Sequence, residues 1–116
     1  MNPAIDLTTL ADTPNDGYLN RVIATVNDHA VHISMMTAPY EWHLHPDSDE
    51  TFIVTEGTLV IDLDDGPVEV RAGQLLTIPA GVRHRTRPKG ARSVNLTVER
   101  NNATTVFCDD PQASKP

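Results

Sequence analysis

Turn-forming residues divide this chain into short segments, and no segment carries an apolar pattern that would predict a helix of ten residues. Nine prolines and six glycines are spread over 116 residues. Asp65-Gly66 and Pro79-Ala-Gly81 are typical of tight turns, because glycine adopts the positive φ that such turns require. The frequent turn residues favour short strands and argue against a helical bundle.

The segments between the turns are rich in β-branched residues, which favour strands. The pattern predicts strands over residues 21–26, 31–37, 51–55, 58–63, 68–70, 75–78 and 94–98. At 94–98, valine and leucine occupy one face and polar residues occupy the other, because side chains alternate along a strand. About eight strands in so short a chain predict an all-β sandwich or barrel.

The length of 116 residues predicts a single domain. We expect an irregular or single-turn lead-in over residues 1–17, a β-barrel domain over 18–108 and a disordered tail over 109–116. Aromatic residues make up only 4% of the chain, so the core should consist mainly of Val, Ile, Leu and Ala.

The formal net charge of −7 disfavours nucleic acid and anionic membrane surfaces as partners, because both carry negative charge. The single cysteine, Cys108, excludes an intrachain disulfide. The first residues carry no basic cluster followed by an apolar run, and no stretch reaches transmembrane length. We therefore expect a soluble cytoplasmic protein.

Three histidines and one glutamate are spaced as metal ligands would be. His43 and His45 share one strand face, and Glu50 can open the next strand. His84 must reach the same place from a strand that is distant in sequence. Mixed nitrogen and oxygen ligation suits one divalent ion, which could be Fe, Mn, Ni, Co or Zn. The alternative is a pair of surface histidines beside a solvated acid.

The residues around these candidates resemble the two motifs of the cupin superfamily. The first motif is matched by His43, His45, Glu50 and Gly57, and the second by Gly73, Pro79, Gly81 and His84. The context is similar to small single-domain cupins described as resembling mannose-6-phosphate isomerase. Thr37 and Pro88 stand where the motifs have glycine and asparagine. The resemblance implies a jelly-roll barrel, a metal held by the four candidates, and a homodimer formed through residues of about 18 to 36.

Other residues near the candidate ligands are predicted to build the pocket. Glu41 shares strand parity with His43 and His45, so it is a candidate catalytic base, with an exposed strand-edge acid as the alternative. Tyr40, Phe52 and Val54 are predicted to line the substrate pocket. His32 could face the cavity or simply be solvated. The basic run from Arg83 to Lys89 either forms ion pairs on the outer face or holds an anionic substrate.

The function that this pattern predicts is Lewis-acid chemistry on a small substrate with two neighbouring oxygens, leading to isomerisation or cyclisation. Fe(II) and oxygen at the same site would instead make the protein a dioxygenase. A third hypothesis is a non-catalytic module that binds or senses a small ligand through the metal. The residues do not separate these hypotheses.

Overall fold

The computed structural model of the chain describes residues 3–112, and within them it contains one short helix and ten strands. The elements are α1 (Leu7–Ala11), β1 (Tyr18–Val26), β2 (His29–Met36), β3 (His43–Leu44), β4 (Glu50–Glu56), β5 (Thr58–Leu63), β6 (Gly66–Arg71), β7 (Leu75–Ile78), β8 (Arg85–Pro88), β9 (Ser93–Arg100) and β10 (Val106–Phe107). The predicted all-β class is confirmed. The predicted strand ranges leave out β8 and β10, which are short and lack a run of alternating apolar residues, whereas β3 was anticipated through the shared strand face of His43 and His45.

The strands form two main antiparallel sheets and one smaller pair. The larger sheet has the order β1-β2-β9-β4-β7, the smaller has the order β6-β5-β8, and β10 pairs with β3. A bridge between His43 and His84 joins β3 to the start of β8, with N–H···O distances of 3.0 and 2.8 Å. The chain therefore brings segments that are 41 positions apart in sequence (84 − 43) into direct backbone contact.

The apolar core lies between the two main sheets. The cluster of buried side chains comprises Met36, Phe52, Val54, Leu59, Ile61, Val70 and Ile78. These residues come from both sheets, as expected for the jelly-roll barrel that the motifs predict. The apolar face of each contributing strand thus fixes the distance and orientation of the sheets.

Strand β9 turns its polar side toward the barrel interior. Asn95 and Thr97 are buried and line the interior cavity. Val94 on the opposite side belongs to a second apolar cluster with Ile33 and Met35, which Ala11 of α1 covers. The interior beside the candidate site is therefore polar, and the outer face of the five-stranded sheet is apolar.

The chain termini are described in part. Within the predicted lead-in, α1 begins after Asp6, whose carboxylate accepts a hydrogen bond of 3.1 Å from the amide of Thr9. Of the predicted tail, residues 109–112 are described and Pro111 is buried, whereas residues 113–116 lie outside the described residues, as do residues 1–2. The exact domain boundaries stay a prediction. No helix within residues 3–112 has the length and apolar character needed to cross a membrane.

Candidate metal centre

The structure brings the four predicted ligands together at one buried point. His43 lies on β3, His45 follows it directly, Glu50 opens β4, and His84 immediately precedes β8. One potential ligand atom from each residue lies within 4.8 Å of the others, and all four side chains are buried. Strand β3, the start of β4 and the residue before β8 thus position a three-histidine, one-carboxylate cluster.

Each imidazole of the cluster is oriented by a backbone carbonyl. The Nδ1 atoms of His43, His45 and His84 donate to the carbonyl oxygens of Glu41, Thr104 and Val82, at 2.8, 3.0 and 2.9 Å. Because a carbonyl oxygen can only accept, the Nδ1 atom of each ring must carry the proton. In the neutral ring, Nε2 is then left with a free lone pair.

These free lone pairs converge on the Glu50 carboxylate. Glu50 Oε1 lies 3.1 Å from His84 Nε2 and 3.4 Å from His45 Nε2. A carboxylate oxygen and an unprotonated Nε2 are both acceptors, so they repel at this distance in a buried site. A cation between them removes the repulsion, and the donor set is one that Fe, Mn, Ni, Co and Zn accept. The residues therefore fit a divalent metal ion, and they do so without rearrangement of the ring tautomers.

Without an ion, protons must take its place, and the pKa values of the cluster reflect this. The hydrogen bond with Glu50 raises the pKa of His45 to about 9, despite burial. Burial raises the pKa of Glu50, but hydrogen bonds from His45 and His84 outweigh burial and lower it to about 2. Burial lowers the pKa of His43. Glu50 is thus held as a carboxylate with a positive neighbour, which is the charge arrangement that a bound cation would also satisfy.

A second carboxylate, Glu99 at the end of β9, borders the cluster, and the sequence pattern did not single it out. Glu99 Oε2 lies 3.5 Å from His45 Nε2, and Glu99 Oε1 lies 3.7 Å from His32 Nε2. Burial and the neighbouring charge of Glu50 raise the pKa of Glu99 to about 7. Strand parity with Asn95 and Thr97 was the available signal, but nothing in the sequence showed that this polar face points inward.

A further pair of residues holds the carbonyl that orients His45. The Asp47 carboxylate accepts hydrogen bonds of 3.0 and 3.1 Å from the amide of Thr104 and one of 3.0 Å from its hydroxyl. The Thr104 carbonyl in turn accepts from His45. The segment that leads into β10 therefore completes the site, although it lies 59 residues from His45 in the sequence.

The other predicted site residues lie at different depths. Tyr40 borders the opening above the histidines, and Phe52 lies beside Glu50, with its ring centroid 5.9 Å from that of His84. Val54 belongs to the apolar core. The Glu41 side chain is exposed, and its carbonyl is the group that contacts His43. The catalytic role of Glu41 stays a prediction.

The cluster opens into a cavity of about 150 Å³. The lining residues are Tyr18, Asn20, His32, Tyr40, His43, His45, Glu50, Glu99 and Thr105. The lining contains no lysine and no arginine. The basic run of the second motif lies elsewhere: Arg85 and Arg87 contact Asp62, Arg83 contacts Asp64, and Lys89 contacts Glu69. Of the two interpretations of that run, the structure shows ion pairing.

Comparison with known proteins assigns the family. Residues 34–98, which include the whole histidine and glutamate cluster, match the family model for the cupin domain. The chain therefore belongs to the cupin family, and it has the jelly-roll fold and the buried three-histidine, one-glutamate cluster described above.

Individual relatives cover the chain to different extents. The uncharacterised protein YdbB of Bacillus subtilis strain 168 is 43% identical over 111 residues, which are 95% of this chain and 97% of that protein. Polyketide synthase CurC of Streptomyces cyaneus is 39% identical over 74 residues, which are 64% of this chain but only 42% of the relative. A crystal structure of a cupin-2 domain protein from Shewanella frigidimarina has a TM-score of 0.77 and 33% identity, covering 84% of this chain and 94% of that one.

Proposed function

We propose that the protein is a metal-dependent enzyme that acts on a small oxygen-rich substrate, with isomerisation or cyclisation as the outcome. The observation that carries the proposal is the convergence of three imidazoles and one carboxylate in a buried cluster that opens into a cavity. A divalent ion bound there would supply Lewis-acid polarisation of a carbonyl group. His43, His45, His84 and Glu50 would hold the ion.

The chain offers an acid–base group next to this cluster. Glu99 lies beside His45 and borders the same cavity, so its carboxyl group can accept a proton from a substrate carbon and return it to another. His32, 3.7 Å from Glu99, is placed to exchange that proton with the cavity mouth. Glu41, the base that the sequence predicts, is exposed, and the geometry favours Glu99 in this role.

The substrate class follows from the donor set and from one relative. Four protein ligands leave two positions on a six-coordinate ion, which suits a substrate with two neighbouring oxygens, such as a hydroxy-ketone or a diketone. CurC is called a polyketide synthase, and polyketide chains carry repeated 1,3-dicarbonyl groups of this kind. We therefore place enolisable dicarbonyl compounds first among candidate substrates.

The first test is the metal content of the purified protein, measured by plasma mass spectrometry beside a His43→Ala/His84→Ala double variant. We expect near-stoichiometric metal in the wild type and none in the double variant, because the variant removes half of the donor set. Absence of metal from the wild type even after reconstitution would overturn the proposal.

The second test measures turnover. Solvent-deuterium incorporation into hydroxyacetone and into a 1,3-diketone is followed by NMR, above the uncatalysed rate, for the wild type, Glu99→Gln and Glu41→Gln. We expect exchange in the wild type and in Glu41→Gln, and loss of about 10² in rate in Glu99→Gln. Oxygen uptake that requires both iron and substrate would favour the dioxygenase alternative. Stoichiometric metal with neither exchange nor uptake would favour the binding or sensor module.

We also propose that two copies associate through the outer face of the five-stranded sheet. An in-register row of apolar residues crosses this face: Ile33 pairs with Leu96, Leu96 with Ile53, and Ile53 with Leu75. Leu75 at the end of the row is 63% exposed. Ile33 is already buried within its own chain, so a second copy would remove from water the exposed parts of Leu96, Ile53 and Leu75.

A further inference from the structure

We propose that the cavity selects a planar ligand that carries at most one negative charge, held by the aromatic rim formed by Tyr18, Tyr40 and Phe107. This inference rests on the proposed function, because the ligand would chelate the same metal ion. It adds the ligand class, which neither the motifs nor the four metal-ligand candidates define.

The aromatic rim is the first support. The ring centroids of Tyr18 and Tyr40 are 4.5 Å apart, and Tyr40 meets His43 edge-on at 5.2 Å. Phe107 lies 6.3 Å from Tyr40 and 6.4 Å from His43. The rings thus stand directly beside the metal-ligand candidates, at separations typical of aromatic pairs.

Two members of the aromatic rim are exposed although they are large and apolar. Phe107 is 56% exposed and Tyr18 is 38% exposed. Tyr18 and Tyr40 line the cavity, and Phe107 stands beside Tyr40 and His43 just beyond the lining. A flat ligand that covers these exposed aromatic groups gains apolar and aromatic contact. Phe107 is brought to this position by the pairing of β10 with β3, in which it stands opposite His43.

The charge of the cavity is the second support. Two positive charges on the ion would be balanced by the carboxylates of Glu50 and Glu99, and no lysine or arginine lines the cavity. A ligand with two negative charges would therefore enter a site without a cation to neutralise it. A neutral chelator avoids this electrostatic cost, and a singly charged chelator incurs a smaller cost than a doubly charged one.

The size of the cavity is the third support. A volume of about 150 Å³ is well below that of ordinary small-molecule pockets, so it suits one compact ring rather than an extended chain. A flat ring with two adjacent oxygens could bind the ion through those oxygens. The opposite edge of the ring would then lie against the exposed aromatic side chains.

The test uses three chelators that bind a metal through two oxygens each: tropolone, which is aromatic and binds as a single anion, acetylacetone, which is non-aromatic and binds as a singly charged enolate, and oxalate, which is doubly charged. Each is titrated calorimetrically at pH 8 into the full chain carrying one equivalent of Zn(II). The quantity of interest is the ratio of tropolone to acetylacetone affinity, compared between wild type and variant. The intrinsic chelating strength of each compound is the same for both proteins, so it cancels in that comparison. We expect this ratio to fall roughly two- to tenfold in Phe107→Ala, which is the range of one aromatic contact.

Val106→Ala is the matched control, since Val106 is an exposed neighbour on the same strand and lies outside the aromatic rim. It should leave the ratio unchanged. Glu99→Gln should strengthen oxalate relative to tropolone, whereas Asp65→Asn, a matched charge change in a distant turn, should not. An unchanged ratio in Phe107→Ala, or oxalate binding as tightly as tropolone to the wild type, would overturn the inference.

The outcomes also separate this inference from the proposed function. Acetylacetone binding to the Zn(II)-loaded protein supports the metal site whether or not the aromatic rim discriminates. Failure of the protein to retain Zn(II), measured by metal content after each titration, would overturn the proposed function and the inference together.

Discussion

The three imidazoles of the cluster depend on backbone carbonyls, and only one of those carbonyls comes from a distant segment. Glu41 and Val82 lie two residues before the rings that they orient, so their hydrogen bonds are local. His45 instead depends on Thr104, whose position is held by three hydrogen bonds to Asp47. Asp47 therefore acts on His45 through Thr104, as a positioning residue for a candidate metal ligand.

We predict that Asp47→Ala weakens metal binding about tenfold, because Thr104 then loses its fixed position and His45 loses its oriented acceptor. The measurement is a competition titration with a chromophoric chelator. Asp65→Ala removes the same charge from the exposed β5–β6 turn and should have no effect. Equal weakening by the two variants would show that Asp47 acts only through its charge.

The titration of His45 predicts how the stability of the metal-free protein depends on pH. The folded protein raises the pKa of His45 from 6.5 to about 9, chiefly through its hydrogen bond with Glu50. The stabilisation is therefore fully present below pH 6.5 and is lost as the pH rises toward 9. Burial raises the pKa of Glu99 from 4.5 to about 7, so its contribution has the same sign and is lost as the pH rises through 7.

We accordingly expect the melting temperature of the protein in EDTA to fall by several degrees between pH 6.5 and pH 9. His45→Gln should show a shallower decline, because the titrating group is absent. Metal-loaded protein should lack the His45 component, since a ligand nitrogen carries no proton to lose. An identical slope in the wild type and His45→Gln would contradict this account.

The candidate ligands were predictable from sequence because strand parity and short spacing place them, whereas their supporting residues were not. His43, His45 and Glu50 are close in the chain, and His84 follows a recognisable turn. Glu99 and Thr104 reach the site through the pairing of β9 with β4 and of β10 with β3, which no local pattern encodes.

At the scale of elements, the turn between β4 and β5 is the most constrained connection. Gly57 has a φ of +71°, and a Cβ atom there would lie 2.5 Å from the carbonyl oxygen of Arg92. The glycine is thus required twice, for its backbone conformation and for the close approach of the chain that enters β9. This approach places the start of β9 directly against the turn between β4 and β5.

We predict that Gly57→Ala lowers the free energy of unfolding by about 2–4 kcal/mol, the sum of left-handed strain and a steric clash. Gly73→Ala is the matched control: its φ is +89° but no atom lies within 4 Å of the added Cβ. It should cost only about 1–2 kcal/mol. Urea unfolding measures both, and equal costs would show that the contact with Arg92 is relieved without strain.

The absence of β8 from the predicted strands has a physical cause. Strand β8 contains Arg85 and Arg87 and turns only Thr86 into the buried interior, so it lacks an apolar face. Its basic residues are held by Asp62 on the adjacent strand β5, at 2.9 Å each. Cross-strand ion pairs of this kind become visible only once the register is known.

At the scale of the whole molecule, the five-stranded sheet carries apolar residues on both faces, while β9 turns polar residues toward the cavity. The inner face carries polar residues of β9 toward the cavity, and the outer face carries the row formed by Ile33, Leu96, Ile53 and Leu75. The alternation in β9 was evident from sequence, but its direction depends on which sheet encloses the site. Ala11 of α1 belongs to the same buried cluster as Ile33, whereas Leu75 at the other end of the row is exposed.

We therefore predict a homodimer in solution and expect Leu75→Lys to raise its dissociation constant tenfold or more, since the change removes an apolar side chain from the contact and places a charge there. Sedimentation equilibrium at micromolar concentrations measures this directly. Val68→Lys, an equivalent change at a partly exposed position on the three-stranded sheet, should leave the dimer intact. Because both substitutions are at exposed positions, neither should alter the fold, which circular dichroism would verify. A monomeric wild type, or a Leu75→Lys variant that remains dimeric, would show that this row faces water or that another surface forms the contact.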